Sequence, residues 1–169
     1  MKTALFVGRF QPFHLGHLSV VRDILEDSEK IIIIIGSANE KSTPENPFSV
    51  GERDEMIKRV MDSAGIKRFR TGYVRDFHED DRWTSAVEKS FRFEVVYSQN
   101  PWTIRCFKKA GYTVKRHVLY DRGKYSGVRI RERMASGLEW KNLVPKAVYD
   151  YITDIDGEGR VRKLYQKAL

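Results

Sequence analysis

The stretch TALFVGRFQPFHLGHLSVVRDILEDSEKIIIIIG, residues 3–36, decides the fold. It opens on a short apolar run ending in glycine, Thr3–Gly8, and closes on five consecutive isoleucines at 31–35. Isoleucine is β-branched and stiff at χ1, which favours extended backbone. A run without polar alternation predicts a central parallel strand covered on both faces. Between the two runs Leu18, Val21 and Leu25, with Val20 and Ile24 beside them, recur at helical spacing. Strand, helix and strand in that order make a βαβ unit.

The alternation continues along the chain. Residues 37–50 are polar, hold Pro44 and Pro47, and predict a long loop of the lid or binding kind. Ser49 with Glu52 fits a capping box that starts a helix through Met56, Ile57 and Val60. Residues 69–74 read as a third strand, 79–90 as a helix, 93–97 as a fourth strand and 112–115 as a fifth. Asn100 followed by Pro101 predicts a helix start, and Gly111 its close. Ser126 caps a short helix through Met134, and 145–155 reads as another. The expected fold is α/β: a Rossmann-like open parallel sheet of about five strands flanked by helices. No repeat or linker interrupts it, so one domain over 1–169 is expected, with 145–169 a helical C-terminal segment.

Composition narrows the classes. With 169 residues, 41% hydrophobic and 32% charged, the chain reads as globular. The isoleucine run is far too short to cross a bilayer, and MKTALFVGRF has no long apolar core of a signal peptide. A single cysteine, Cys106, excludes an internal disulfide framework and a thiolate metal cluster, and the expected compartment is the cytoplasm. The net charge of +8 attracts anions, whether nucleotides, polyphosphates or nucleic acid, without choosing among them.

GRFQPFHLGH, residues 8–17, lies directly after the first strand, where open α/β sheets bind ligands. Three readings of His14 and His17 compete. Zinc needs three or four ligands, and neither an HExxH nor a matching spacing among His78, His117 and Cys106 supplies them. Two histidines capping a turn are a second reading. The third is phosphate handling: Gly8 admits close backbone approach, Gly16 a tight approach of the helix, and the helix start supplies N–H donors. Placement after the first strand favours the third.

HLGH resembles the HxGH signature of the nucleotidyltransferase superfamily, and the longer GRFQPFHLGH resembles the archaeal-type nicotinamide mononucleotide (NMN) adenylyltransferases. The resemblance continues in GSA (36–38), NPF followed by GER (46–53), Asp76 seven residues before Trp83, NP (100–101), YSG…R (125–131) and LVP (143–145). These pieces keep the family order and cover nearly the whole chain. The resemblance implies adenylyl transfer from ATP to NMN, giving NAD and pyrophosphate, with Mg2+ carried on the ATP phosphates and no metal held by the protein.

Carried over residue by residue, the resemblance implies that His14 and His17 contact the ATP phosphates, Arg9 holds phosphate oxygens where the substrates meet, and Arg131 grips the β- and γ-phosphates. Gly8 and Gly16 would line the nucleotide cleft, Phe10 and Gln11 would do so mainly through backbone groups, and Ser126 and Arg129 would stand at the start of a helix aimed at the same phosphates. Trp83 would stack on the nicotinamide ring, Asp76 would contact the nicotinamide side, and Ser37 and Asn39 would bond ribose or carboxamide. Two departures stand out. Val128 and Arg129 replace the usual Thr-Glu of the second motif, and Arg129 is expected to substitute by charge for the lost hydroxyl. Asp80 replaces an asparagine and is expected to favour cationic nicotinamide over nicotinic acid. A homo-oligomer, with a hexamer the expected form, follows from the same resemblance; a membrane or nucleic-acid partner does not. The rivals are a related enzyme acting on nicotinic acid mononucleotide, pantetheine phosphate or FMN, and a non-catalytic nucleotide- or RNA-binding domain.

Overall fold

The computed structural model describes residues 2–169. Five parallel strands form one sheet: β1 (Thr3–Gly8), β2 (Lys30–Ile35), β3 (Phe69–Gly72), β4 (Val95–Tyr97) and β5 (Thr113–Lys115), in the order β3-β2-β1-β4-β5. The helices between and after them are α1 (Leu15–Asp27), α2 (Val50–Ser63), α3 (Asp80–Ser90), α4 (Pro101–Lys109), α5 (Gly127–Ala135), α6 (Lys146–Asp154) and α7 (Gly157–Lys167). The expected open parallel sheet is thus borne out. β1 and β2 pair along their whole length, from Thr3 opposite Lys30 to Gly8 opposite Ile35. All five isoleucines are buried, as a strand with no solvated face requires. The order grows outward from β1 in both directions, so the switch point of the topology lies between the carboxyl ends of β1 and β4.

The chain divides into two compact units, each assembled from separate stretches. The first comprises the chain up to Arg9, Val20–Asn39 and Arg68–Val118, and holds the whole sheet with α3 and α4. Leu5, Ile32, Ile34 and Val96 pack with Trp83, Val87, Phe93 and Phe107 into its apolar core. The Phe107 ring lies edge-on to Phe93 at 5.7 Å and to Tyr112 at 5.8 Å. Asn100 accepts a hydrogen bond from Thr103 N, and Pro101 takes the first helical position of α4, as expected. At the other end Gly111 N donates to Lys108 O and Tyr112 N to Phe107 O, the paired bonds of a Schellman motif.

The second unit comprises Phe10–Ser19, Glu40–Lys67 and Leu119–Leu169. Here α2 packs on α6, and α7 on both α5 and α6. The capping box is present in full: Glu52 N donates to Ser49 Oγ at 3.2 Å and Ser49 N to Glu52 Oε1 at 2.9 Å. Three strands are shorter than their sequence suggests, β5 only by its first residue, since it begins at Thr113. β3 ends at Gly72, against which the Phe91 ring packs. β4 starts only at Val95, and the Glu94 carboxylate before it accepts from Thr3 N at 2.6 Å.

Candidate phosphate-handling site

After β1 the chain passes through Arg9 and Phe10 (φ 55°), then a cis peptide between Gln11 and Pro12, and enters α1 at Leu15. In the second unit the rings of Phe10 and Phe13, both buried, lie 4.8 and 5.3 Å from that of His17. His14 and His17 are locked to one another: His14 N donates to His17 Nδ1 at 3.1 Å and His17 N to His14 Nδ1 at 3.3 Å. Their rings stack at 3.6 Å with 21° between planes. A backbone N–H can only donate, so both Nδ1 atoms act as lone-pair acceptors. The network therefore assigns each neutral ring its proton on Nε2. Burial holds His14 neutral as well, lowering its pKa from 6.5 to about 4. The pair presents two neutral Nε2–H donors on one turn, not two cations.

Gly16 earns a more specific reason than the helix approach expected of it. A Cβ there would lie 2.9 Å from His14 Cε1 and 3.2 Å from Tyr125 Cβ, so any side chain would push the imidazole out of its stack.

Gln11 is buried and uses both ends of its amide on one residue. Nε2 donates to Phe48 O at 2.9 Å, and Oε1 accepts from Phe48 N at 3.0 Å. Its backbone carbonyl accepts from Arg131 Nη1 at 2.8 Å, and Arg131 is 3% exposed. The side chains of Phe10 and Gln11 are both interior, and the Gln11 polar groups hold Phe48 and Arg131. Gly127 lets this happen, since a Cβ there would meet Arg131 Nη1 at 2.8 Å and Gln11 O at 3.1 Å. Ser126 Oγ accepts from Arg129 N at 3.1 Å, the cap expected of it. The Arg129 side chain is exposed, two residues or about 200° around α5 from Arg131. It lines an open cavity of about 500 Å³ with Lys124, Glu132 and Arg133. Its guanidinium thus belongs to a different face of the helix from that of Arg131.

The remaining candidates lie in the first unit. Gly8 O accepts from Gly36 N at 2.7 Å, and Arg9 is exposed. Ser37 follows β2 with φ 50°, and Asn39 N donates to Asp76 Oδ2 at 3.1 Å, bringing two of the expected contacts together. Asp80 has partners of its own within the first unit. Trp102 Nε1 donates to Oδ1 at 2.6 Å and Arg105 Nε to Oδ2 at 3.4 Å. The Trp102 bond first, and Arg105 with it, hold this carboxyl below its usual range against the opposing effect of desolvation. Its charge is already answered within α3 and α4. Trp83 is 3% exposed, its ring 5.0 Å from Trp102 and 5.4 Å from Phe107. Its expected stacking face is covered in this structure.

Two residues escaped the sequence reading. Arg53 is fully buried, its Nε donating to Ser49 O at 3.2 Å; the GER run carried it only as part of a resemblance. Arg160 makes a two-pronged ion pair with Glu52, and nothing local marks it out from the other cations near the C-terminus. Among the described residues no group of three or more His, Cys, Asp or Glu side chains fits a metal ion. No helix among them is long and apolar enough to cross a membrane.

A parallel sheet with its switch point beside β1, followed by this histidine turn, defines a nucleotidyltransferase-type α/β protein. The chain belongs to the Cytidylyltransferase-like family, whose model matches residues 5–133. Relatives named nicotinamide-nucleotide adenylyltransferase match over nearly their whole lengths. That of Methanolobus tindarius is 44% identical over 97% of this chain and 95% of its own. That of Archaeoglobus fulgidus is 41% identical over 95% and 96%, and that of Thermoplasma volcanium 40% over 95% and 91%. A bifunctional NMN adenylyltransferase/ADP ribose pyrophosphatase from Francisella tularensis, solved with AMP and a manganese ion, superposes with a TM-score of 0.81 at 25% identity. The match covers 97% of this chain and 52% of that one, so this chain spans about half of the bifunctional protein. The family resemblance read from the motifs is borne out.

Proposed function

We propose that this chain transfers the adenylyl group of ATP to the 5′-phosphate of NMN, forming NAD and pyrophosphate. The observation that carries the reading is the reciprocal lock of His14 and His17, which fixes two neutral N–H donors on the turn after β1. The mononucleotide phosphate, with a second pKa of about 6, is already largely a dianion at neutral pH and needs no general base. One of its oxygens attacks the α-phosphorus of ATP in line. The α–β bridging P–O bond breaks, and its electron pair leaves with pyrophosphate. Catalysis is then placement and stabilisation of charge on the transferred and departing oxygens.

In this reading His14 and His17 donate from Nε2 to the triphosphate. Arg131, pre-aimed by Gln11 O, supplies a planar cation to the same group, and Arg9 a second. Gly8, Gly16 and Gly127 provide the close backbone approaches, and Ser126 fixes the start of α5. Asp76, Asn39 and Ser37 serve the acceptor nucleotide, and Trp83 stacks on its ring once the side chains that cover it move aside. Asp80 acts on the acceptor only through Trp102, and Arg129 is at most a peripheral attraction for the nucleotide. A divalent cation, Mg2+ by preference, enters with the ATP phosphates as part of the substrate. The same reading makes the protein a cytoplasmic single-domain enzyme that assembles as a homo-oligomer, a hexamer by resemblance, which light scattering in solution tests.

The deciding experiment measures pyrophosphate release from ATP with NMN, nicotinic acid mononucleotide, phosphopantetheine and FMN in parallel. NMN should give the highest rate, with NAD as product. A higher rate with phosphopantetheine or FMN would sink the acceptor assignment. No release with any acceptor would sink the enzyme. For the ring contact, Trp83→Leu should raise KM for NMN while leaving KM for ATP unchanged; an unchanged KM for NMN makes Trp83 a core residue alone.

A further inference from the structure

The polar bonds around Gln11 do not end at Arg131. Phe48, clamped by the Gln11 amide, sits in a turn whose two flanks are held by one guanidinium from α7. Arg160 Nη1 donates to Pro47 O at 3.1 Å and to Glu52 Oε1 at 2.7 Å, and Nη2 donates to Glu52 Oε2 at 2.9 Å. The Glu52 carboxylate is also the closing member of the α2 capping box, accepting from Ser49 N. Its pKa bears the mark of these contacts. Burial pushes it up, yet hydrogen bonds from Arg160 and Ser49, with the Arg160 charge, leave it below its ordinary value. A second contact joins the same parts. Gly157, the first residue of α7, lies so close to Phe48 that a Cβ would sit 3.0 Å from its ring.

An exposed single ion pair would carry little weight. This one is two-pronged and partly buried, with side chains 34% and 19% exposed, and has a third acceptor on the turn itself. Such forks fix direction as well as distance. The path is then continuous: Arg160 sets Pro47 and Glu52, these set Phe48, Phe48 N and O set the Gln11 amide, and Gln11 O takes Arg131 Nη1.

We propose that Arg160 is a positioning residue for adenylyl transfer, holding the turn at 47–52 so that Gln11 presents its carbonyl to Arg131 and thereby aims that cation at the nucleotide. The inference rests on the reading of Arg131 as an ATP phosphate contact. It assigns to the C-terminal helix an indirect part in ATP binding, through Pro47, Phe48 and Gln11.

The test compares wild type, Arg160→Ala, Arg160→Lys and Glu52→Gln, each checked for folding by circular dichroism and assayed well below its Tm. ATP affinity is measured both as KM and by calorimetric titration. In Arg160→Ala, both KM and Kd for ATP should rise about tenfold, since small misplacements away from the chemistry are felt this strongly. KM for NMN should stay within about twofold, the mark of an effect confined to one substrate. Arg160→Lys should fall between, because a point charge can meet Glu52 without also holding Pro47 O. A merely structural role would lower the folded fraction, and so kcat, with both KM values unmoved. ATP constants within about twofold of wild type in folded Arg160→Ala would overturn the proposal. If that variant does not fold, Arg160→Lys and Glu52→Gln decide by the same constants. A wild type that binds ATP but forms no NAD defeats the acceptor reading alone, and the titration still decides this inference.

Discussion

The two units of the molecule are held by different chemistry. In the first, the sheet and its helices enclose an apolar core of Leu5, Ile34, Val96, Trp83 and Phe107. In the second, the segment carrying the histidines is fixed by directional polar bonds: His14 with His17, Gln11 with Phe48, Arg131 with Gln11, Arg160 with Glu52. Apolar packing resists deformation but tolerates repacking. Hydrogen-bond chains fix angles but fail when one member is lost. Stability is therefore expected to reside mainly in the first unit, and precision of catalysis in the second.

Damage to the first unit should cost the most free energy and the least chemistry. Phe107→Ala removes a ring with no exposed surface from the centre of the aromatic cluster, and should cost about 3–5 kcal/mol of stability. Denaturant unfolding measures the loss, while KM for ATP of the protein folded at low temperature should not change. A large rise in that KM would show that the two units do not divide the work in this way. The reverse pattern is expected of His17→Ala. It deletes one Nε2–H donor and the Nδ1 acceptor of His14 N, and should lower kcat for NAD formation about 100- to 1,000-fold with a smaller loss of stability. A kcat within about tenfold of wild type would remove His17 from the reacting groups.

The same contrast explains what the sequence revealed. β2 was legible because five isoleucines leave no solvated face, and α2 and α4 because Ser49, Asn100 and Pro101 write their caps locally. The HxGH turn was legible as a family signature. The reciprocal Nδ1 bonds were not, because HLGH fixes spacing but not which ring nitrogen faces the backbone. Gln11, Phe48, Arg131 and Arg160 lie far apart in the chain, and only folding brings them into one network. Likewise nothing local in the sequence shows that Trp102 and Arg105 bond the Asp80 carboxylate.

Acid should find the second unit through His14. Its folded pKa of about 4 lies below the 6.5 of the free side chain, so above pH 6.5 neither folded nor unfolded chain carries the proton. As pH falls below 6.5, the unfolded state gains a proton that the native state refuses, and stability declines until about pH 4. The full loss approaches about 3 kcal/mol, at about 1.36 kcal/mol per pKa unit. Glu52, depressed below 4.5, acts in the lower window: its contribution is present above 4.5 and is lost as pH falls through its folded pKa. Between pH 4.5 and 6.5 this decline is the part of the unfolding free energy that His14 supplies. The decline should be absent in His14→Gln, and an equal decline in that variant would refute the assignment.

The smallest change tests the comparison most sharply. Gly127 opens α5, and helix propensity alone predicts that Gly127→Ala stabilises by about 0.5–1 kcal/mol. The structure predicts the opposite sign. The added methyl would lie 2.8 Å from Arg131 Nη1 and 3.1 Å from Gln11 O, the two atoms joined by the 2.8 Å hydrogen bond. Neither can yield easily, because Gln11 is clamped by Phe48 and Arg131 is buried. Gly127→Ala should lose about 1–2 kcal/mol by overpacking, and should raise KM for ATP several-fold as Arg131 turns away. Gly51, in the first turn of α2, is the control: a Cβ there meets only Ser49 Oγ, at 4.0 Å. Gly51→Ala should follow propensity, with unchanged kinetics. If both alanines stabilise equally and leave KM for ATP alone, the contact between Arg131 and Gln11 is not a rigid one, and the second unit is held by packing as the first is.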